Sequence, residues 1–270
     1  MRALMIGDVV GECGLKALES NLPKILKDNA VDFAIVNGEN AADGFGMTEA
    51  ALQRILNSGA DVVTSGNHVW EKREFWQILD SNGQILRPAN YPGDAPGRGW
   101  LCMEKAGMSW MIVNMQGREL MKPIDCPFRC FDKIRESIPP DAGQPAALLK
   151  QRAPIIIVDF HAESNREKEA LGYYLDGRAA LVAGTHTHVQ TDDERILPKG
   201  TAYITDLGMT GITSSVIGMD TAICLDRMRK QVLYRMEPAT GSESGSMAEA
   251  QGIIAEIDSD SGNAVSIKRI

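Results

Sequence analysis

The sequence predicts an α/β fold, and three observations carry that prediction. Short apolar runs of strand length alternate with helix-length stretches. The turns between them are rich in Gly and Asn, and polar residues able to bind metal recur just after the predicted strands. Alternation of this kind builds sheets of largely parallel strands, whose ligands gather outside the carboxyl ends.

Residues 3–6 read as a first strand leading into Gly7-Asp8, and a helix is expected from about residue 15, limited or kinked by Pro23. Residues 33–36 form a second strand that ends in Asn37-Gly38-Glu39-Asn40. Thr48 can cap a helix running to about residue 56, with Gly59 suited to its end. Residues 62–64 make a third strand ending in Gly66-Asn67-His68, and a helix is expected from there to about residue 80.

The middle is less regular. Residues 87–99, with Pro88, Pro92 and Pro96, read as loop, and residues 109–114 as strand. Residues 115–128 read as a long surface loop of the kind that often carries function. Both loops, with residues 207–219, are expected to frame a pocket. Residues 155–160 form a buried strand ending at His161, and Ser164-Asn165-Arg166-Glu167 has the form of a capping box opening a helix to about residue 175. Residues 180–183 are a strand ending in Gly184-Thr185-His186-Thr187-His188, and residues 202–205 and 222–225 read as further strands. A polar turn at 258–262 between runs at 253–257 and 264–267 predicts a terminal hairpin.

With 270 residues, 44% of them hydrophobic, the chain can bury one large core or two small ones. It shows no repeat, low-complexity tract or clear linker, so one domain over 1–270 is the expectation. A net charge of -8 argues against a protein that grips long nucleic acid through its phosphates. It leaves room for a small phosphorylated substrate, because bound metal ions supply positive charge locally. No secretion signal or membrane-length apolar run is evident, and five scattered cysteines fit a reduced, cytoplasmic setting. Cys126 and Cys130 could be read as half a metal site, but no second pair completes it. Homo-oligomers are common, yet nothing in the sequence speaks to oligomeric state.

The chemistry concentrates at strand ends. Asp8, Glu39, Asn40, Asn67, His68, His161, His186 and His188 all follow predicted strands, and they include all four histidines. Each alone has an ordinary explanation: Asp8 as a turn former, Glu39-Asn40 as a solvated loop, His161 as a satisfied core histidine. His186-Thr187-His188 is stronger, because an extended His-x-His puts both imidazoles on one side. Imidazole, carboxylate and amide oxygen without thiolate suit Fe, Mn or Zn. So many ligands exceed one ion and suit two ions roughly 3.5–4 Å apart sharing a carboxylate.

These blocks resemble the calcineurin-like metallophosphoesterases, and more closely their YmdB-like subgroup. The resemblance rests on Ile6-Gly7-Asp8-Val9-Val10-Gly11, Asn37-Gly38-Glu39-Asn40-Ala41-Ala42, Ser65-Gly66-Asn67-His68, Arg87-Pro88-Ala89-Asn90, Asp159-Phe160-His161-Ala162-Glu163 and Gly184-Thr185-His186-Thr187-His188. Val10 stands where the wider superfamily usually has histidine, and Glu39-Asn40 where it usually has a bridging aspartate; both departures are those of the subgroup. The resemblance implies a four-layer α/β/β/α sandwich of two packed mixed sheets. It implies one metal on Asp8, Glu39, Asn40 and His188, a second on Glu39, Asn67, His161 and His186, and His68 as the acid for the leaving oxygen. Iron or manganese is the implied metal, with zinc or magnesium as alternatives, and cyclic nucleotides are the implied substrates. A bridging hydroxide would then attack phosphorus while His68 protonates the leaving group.

Other functions compete. A phosphomonoesterase or 5′-nucleotidase could use the same site, although such enzymes often carry an added domain. An amidohydrolase also uses His-x-His, but on an early strand of a barrel. A metal-bound regulatory scaffold with little turnover is the non-catalytic alternative. No membrane partner is expected.

Overall fold

The structure is a computed structural model that describes residues 1–137, 153–241 and 247–270. Its first sheet has five strands in the order Ala264–Arg269, Gly252–Ile257, Arg2–Ile6, Phe33–Asn37 and Val62–Thr64. The last three run parallel, and the first two form the terminal hairpin, joined antiparallel with Ile257 opposite Ala264. A second, six-stranded sheet has the order Trp100–Lys105, Met108–Gln116, Ile155–His161, Leu181–Thr185, Ala202–Ile204 and Arg195–Ile196. Its four central strands are parallel and its edges antiparallel. Both sheets are therefore mixed. A small third sheet places Asp8–Val9 beside Met209–Ile212, itself paired with Ala248–Ala250.

Side-chain alternation explains how these sheets stack. Ala3, Met5, Phe33 and Ile35 of the first sheet share one core with Trp110, Ile112, Ile157 and Ala183 of the second, and Phe33 stacks on Trp110 at 4.7 Å between centroids. The alternate residues face outward. Leu4, Ile6, Ala34 and Val36 meet Leu18 and Leu22 of the helix Gly11–Asp28 and Leu52 and Ile55 of the helix Glu49–Asn57. Met111, Val113, Val158 and Val182 meet Phe131 of the helix Pro127–Ser137 and Leu171 and Leu175 of the helix Asn165–Leu175. The packing order is thus helix, sheet, sheet, helix. Strands covered on both faces need continuous apolar runs, and each fully buried Leu or Ile contributes about 1.5–3 kcal/mol of transfer free energy.

Several elements differ from the expectation. The first helix starts at Gly11 and runs through Pro23 to Asp28, because Leu18 and Leu22 continue into a stripe with Ile25 and Leu26 that packs on the sheet. The helix expected after His68 is broken into the 3-10 turns Asn67–Trp70 and Arg73–Phe75 and the short helix Trp76–Ser81. Residues 222–225 are not a strand: they lie in the helix Thr221–Lys230, whose Ile223 N–H donates to the Asp220 side chain. The capping box at Ser164 forms only in part. Glu167 N–H donates to Ser164 Oγ, but the Glu167 carboxylate instead accepts from the N–H groups of Arg118 and Glu119 and so pins that loop. No helix among the described residues is long and apolar enough to cross a membrane.

Candidate functional site

The carboxyl ends of the parallel strands of both sheets meet along one rim, and the ends are tied across the gap. Asn37 Nδ2 donates to Asp159 Oδ2 at 3.0 Å, and Ser65 N–H donates to Asn114 Oδ1 at 3.0 Å. Gly66 lets the backbone come close to the site: a Cβ there would collide with the His161 ring and the Glu39 carboxylate. The Gly-Asn-His turn after the third strand therefore needs glycine at its first position.

His161 sits at the centre, fully buried. Its Nδ1 lies 3.0 Å from Thr185 Oγ1, and that hydroxyl donates to Asp159 Oδ1 at 2.7 Å. With its proton committed to Asp159, Thr185 can only accept, so His161 donates from Nδ1 and leaves Nε2 as the atom a metal ion would take. Around that Nε2 stand Glu39 Oε1 at 2.9 Å, His186 Nδ1 at 2.9 Å and Asn67 Oδ1 at 3.2 Å. Donor atoms at right angles around an ion at about 2.1 Å lie about 3.0 Å apart. The cluster has the spacing of a coordination shell, and the ligand atoms of Glu39, His161 and His186 lie within 4.8 Å of one another.

Asp8 and Asn40 extend the cluster. Asp8 Oδ2 accepts the His186 backbone N–H at 3.2 Å, while Asp8 Oδ1 is buried with no hydrogen-bond partner among the described residues. It stands 3.9 Å from both His161 Nδ1 and His188 Nε2. Asn40 donates from Nδ2 to the Gly44 carbonyl at 2.8 Å, which leaves its buried Oδ1 equally without a partner. His188 Nδ1 donates to the Ile217 carbonyl at 2.8 Å, so its Nε2 is the atom turned toward Asp8. Orphaned buried oxygens of this kind are costly unless a cation satisfies them. The residues present fit metal ions.

The electrostatics agree. Burial alone would raise Glu39, but the charges of His161, His68 and His186 outweigh it and hold the carboxyl down at about 2. Burial alone would lower His161, yet Glu39 and Asp8 push it up to about 9. Burial, with the neighbouring His161 charge, drives His186 down to about 3. Burial lifts Asp8 to about 6 against His188 and His161. Metal-free, the site gathers a proton at the point where the ligand atoms converge; a metal ion would compete for that place.

Glu39, Asn67 and His186 thus converge on His161, and Asp8 lies between His161, His186 and His188. His68 lies at the edge. Its N–H donates to Glu39 Oε2 at 3.1 Å, its Nδ1 is 3.4 Å from Glu71 Oε1, and its ring packs edge-on against Phe45 at 5.0 Å. With Glu39, Asn40, His186 and His188 it lines one cavity. Of the loops expected to frame that cavity, only 207–219 reaches it, joined by the helix Thr221–Lys230.

Sequence reasoning missed the supports. Asp159 binds Thr64 Oγ1, Thr185 Oγ1 and Asn37 Nδ2, three groups on three strands. Lys168 and Asp206 form a buried ion pair at 2.7 Å, and Asp206 accepts from Thr187 Oγ1 at 2.8 Å, between the two histidines. Glu163 faces His186 Nε2 at 3.1 Å. The one available signal was a carboxylate inside the apolar run Ile155–His161.

The family model for YmdB-like proteins matches residues 4–270. The chain belongs to the YmdB-like family. It is 43% identical over 270 residues to a Bacillus subtilis protein named 2′,3′-cyclic-nucleotide 2′-phosphodiesterase, covering 100% of this chain and 96% of that one. A solved structure from Thermus thermophilus, described only as a hypothetical protein, superposes with a TM-score of 0.86 at 37% identity, covering 100% and 98% of the two chains. Another, from Mycoplasma pneumoniae and described as a phosphatase, superposes with a TM-score of 0.87 at 28% identity, covering 100% and 92%.

Proposed function

We propose that this YmdB-like chain is a phosphodiesterase that uses two metal ions to hydrolyse cyclic nucleotides, the 2′,3′-cyclic ones first among them. The observation that carries the reading is the convergence of Glu39, Asn67 and His186 on His161 Nε2, beside the orphaned oxygens of Asp8 and Asn40. Asp8, Glu39, Asn40 and His188 would hold one ion, and Glu39, Asn67, His161 and His186 the other. When bound, the ions neutralise phosphoryl charge and acidify water near neutral pH. In the reaction water adds to phosphorus, one P–O bond of the ring breaks, and the departing oxygen takes a proton. His68 would give it, a role supported by its position: its N–H donates to Glu39, its ring packs against Phe45 beside Glu71, and it lines the cavity outside the His161 cluster. Imidazole suits a step that moves a proton near neutrality. Relatives named for phosphodiester and phosphate chemistry support the class. Iron or manganese fits the oxygen and imidazole donors best.

The test is a substrate panel on protein reconstituted with iron or manganese. The expected result is turnover of 2′,3′-cyclic nucleotides above 3′,5′-cyclic nucleotides and phosphomonoesters. Faster turnover of monoesters would instead favour a phosphatase, in line with the description of the Mycoplasma pneumoniae relative. Full metal with no turnover of any ester would favour the scaffold.

A further inference from the structure

The cavity above the metal-type cluster measures about 450 Å³, which is in the range of small-ligand pockets. Its lining is of two kinds. Glu39, Asn40, His68, Glu163, His186 and His188 are polar, whereas Phe45, Val216, Ile217, Met219, Met228 and Met236 form an apolar wall in which Phe45, Met219 and Met236 share one hydrophobic cluster. Apolar side chains of this size are normally covered, yet Met228 is 72% exposed, and Val216 and Ile217 also stand open. Thioethers and aromatic edges are favourable partners for a flat π-system.

The wall is also built into the site. Ile217 holds a left-handed backbone, with φ of 51°, which is an outlier for a β-branched residue. Its carbonyl accepts the His188 Nδ1 proton, so the strained residue ties the apolar wall to a predicted ligand. Phe45 is tied in the same way through its ring contact with His68. The other polar side chains of the lining are engaged within the protein: Glu163 faces His186 Nε2 at 3.1 Å, Thr187 Oγ1 donates to Asp206 at 2.8 Å, and Arg227 Nη1 donates to the Tyr234 carbonyl at 2.7 Å.

We infer that this wall is a nucleobase subsite, and that it takes the base by burial and stacking, not by reading its hydrogen-bonding edge. The inference rests on the phosphodiesterase reading and adds the part of the substrate that reading leaves open. With the cyclic phosphate at the polar side, the base of a mononucleotide covers the methionines and Phe45. A wall whose polar neighbours are already engaged within the protein discriminates weakly between bases, because no polar partner is left unpaired by the wrong one.

Metal-reconstituted enzyme is assayed on 2′,3′-cyclic AMP, the three other 2′,3′-cyclic ribonucleotides, and glycerol 1,2-cyclic phosphate, which has the ring but no base. The expected kcat/KM for the nucleotides exceeds that for the glycerol diester by at least about tenfold, the size expected for burying one base face. The four bases should fall within about fivefold of one another. Replacing Met228 by Ser should raise KM for the nucleotides and narrow the gap to about threefold; the exposed position of Met228 makes misfolding a poor explanation. Equal turnover of nucleotide and glycerol diester by the unmodified enzyme would overturn the subsite and leave the phosphodiesterase intact. A strong preference for one base that survives the Met228→Ser replacement would overturn stacking as the mode of recognition. If neither diester is turned over, the phosphodiesterase reading falls, and the subsite falls with it.

Discussion

Two halves of the site are built in different ways. Asp8, Glu39, Asn40 and His161 are buried, and Asp8 and His161 are fixed by sheet pairing. Behind them Asp159 gathers Thr64, Thr185 and Asn37 from three separate strands, so moving one support disturbs two sheets. His68, His186 and His188 ride instead on turns. His186 and His188 hold positive φ of 101° and 63°, conformations that a non-glycine residue keeps only when its surroundings impose them. The buried Lys168–Asp206 pair imposes them by gripping Thr187 between the two. The strand-anchored Asp8 and His161 hold charge in place, while of the turn-borne histidines His186 and His188 would complete the ligand set and His68 would meet substrate and move a proton.

Replacing one residue from each half breaks this comparison most sharply. Asp8→Ala is expected to cut turnover by at least about 10³-fold and to empty the site, as read by elemental analysis of the purified variant. His68→Ala is expected to lose about 10²–10⁴-fold in kcat while metal content stays at the parental level. Metal loss in His68→Ala would place that ring among the ligands and erase the division.

The support of the turn-built half can be removed separately. Lys168→Met strands the Asp206 carboxylate in the core, and breaking a buried pair in this way costs about 3–5 kcal/mol. Thermal unfolding should show that loss, and the relaxed His-x-His turn should bind metal about 10–100-fold more weakly by titration. An unchanged midpoint would mean that the pair holds nothing.

The smallest effect lies further out, where Asp193 secures the chain after His188. Burial would raise its carboxyl, but hydrogen bonds from Thr191, Thr205 and Arg195 prevail and hold it below its ordinary value. A depressed folded-state value contributes stability above the unfolded value near 3.8, and that stability is lost as pH falls through the folded one. Asp193→Asn should therefore lower the neutral plateau slightly, by the contribution of that carboxylate, and flatten part of the acid limb of the stability profile below about pH 4.

The same division separates what was legible in the sequence from what was not. The strand ends were legible because glycine, asparagine and histidine punctuate apolar runs there, and the packing of both sheets follows from those runs. The Asp159 hub was not, since its partners Asn37, Thr64 and Thr185 lie on other strands and only the fold brings them together. The helix Thr221–Lys230 was misread because Ala222–Cys224 and Leu225 form a run too short to show a period. The edge strand Trp100–Lys105 was missed behind a proline-rich loop, with Cys102 exposed on it. Of the cavity wall only the 207–219 loop was legible, while Phe45, the helix Thr221–Lys230 and Met236 were not.

The most direct test of the two-metal site is the metal content of the purified, folded protein, measured per chain by elemental analysis. Close to two ions of iron or manganese per chain is the expected result, with activity lost on chelation and restored on their return. Folded protein that turns over cyclic nucleotides at full rate with no metal bound would contradict it.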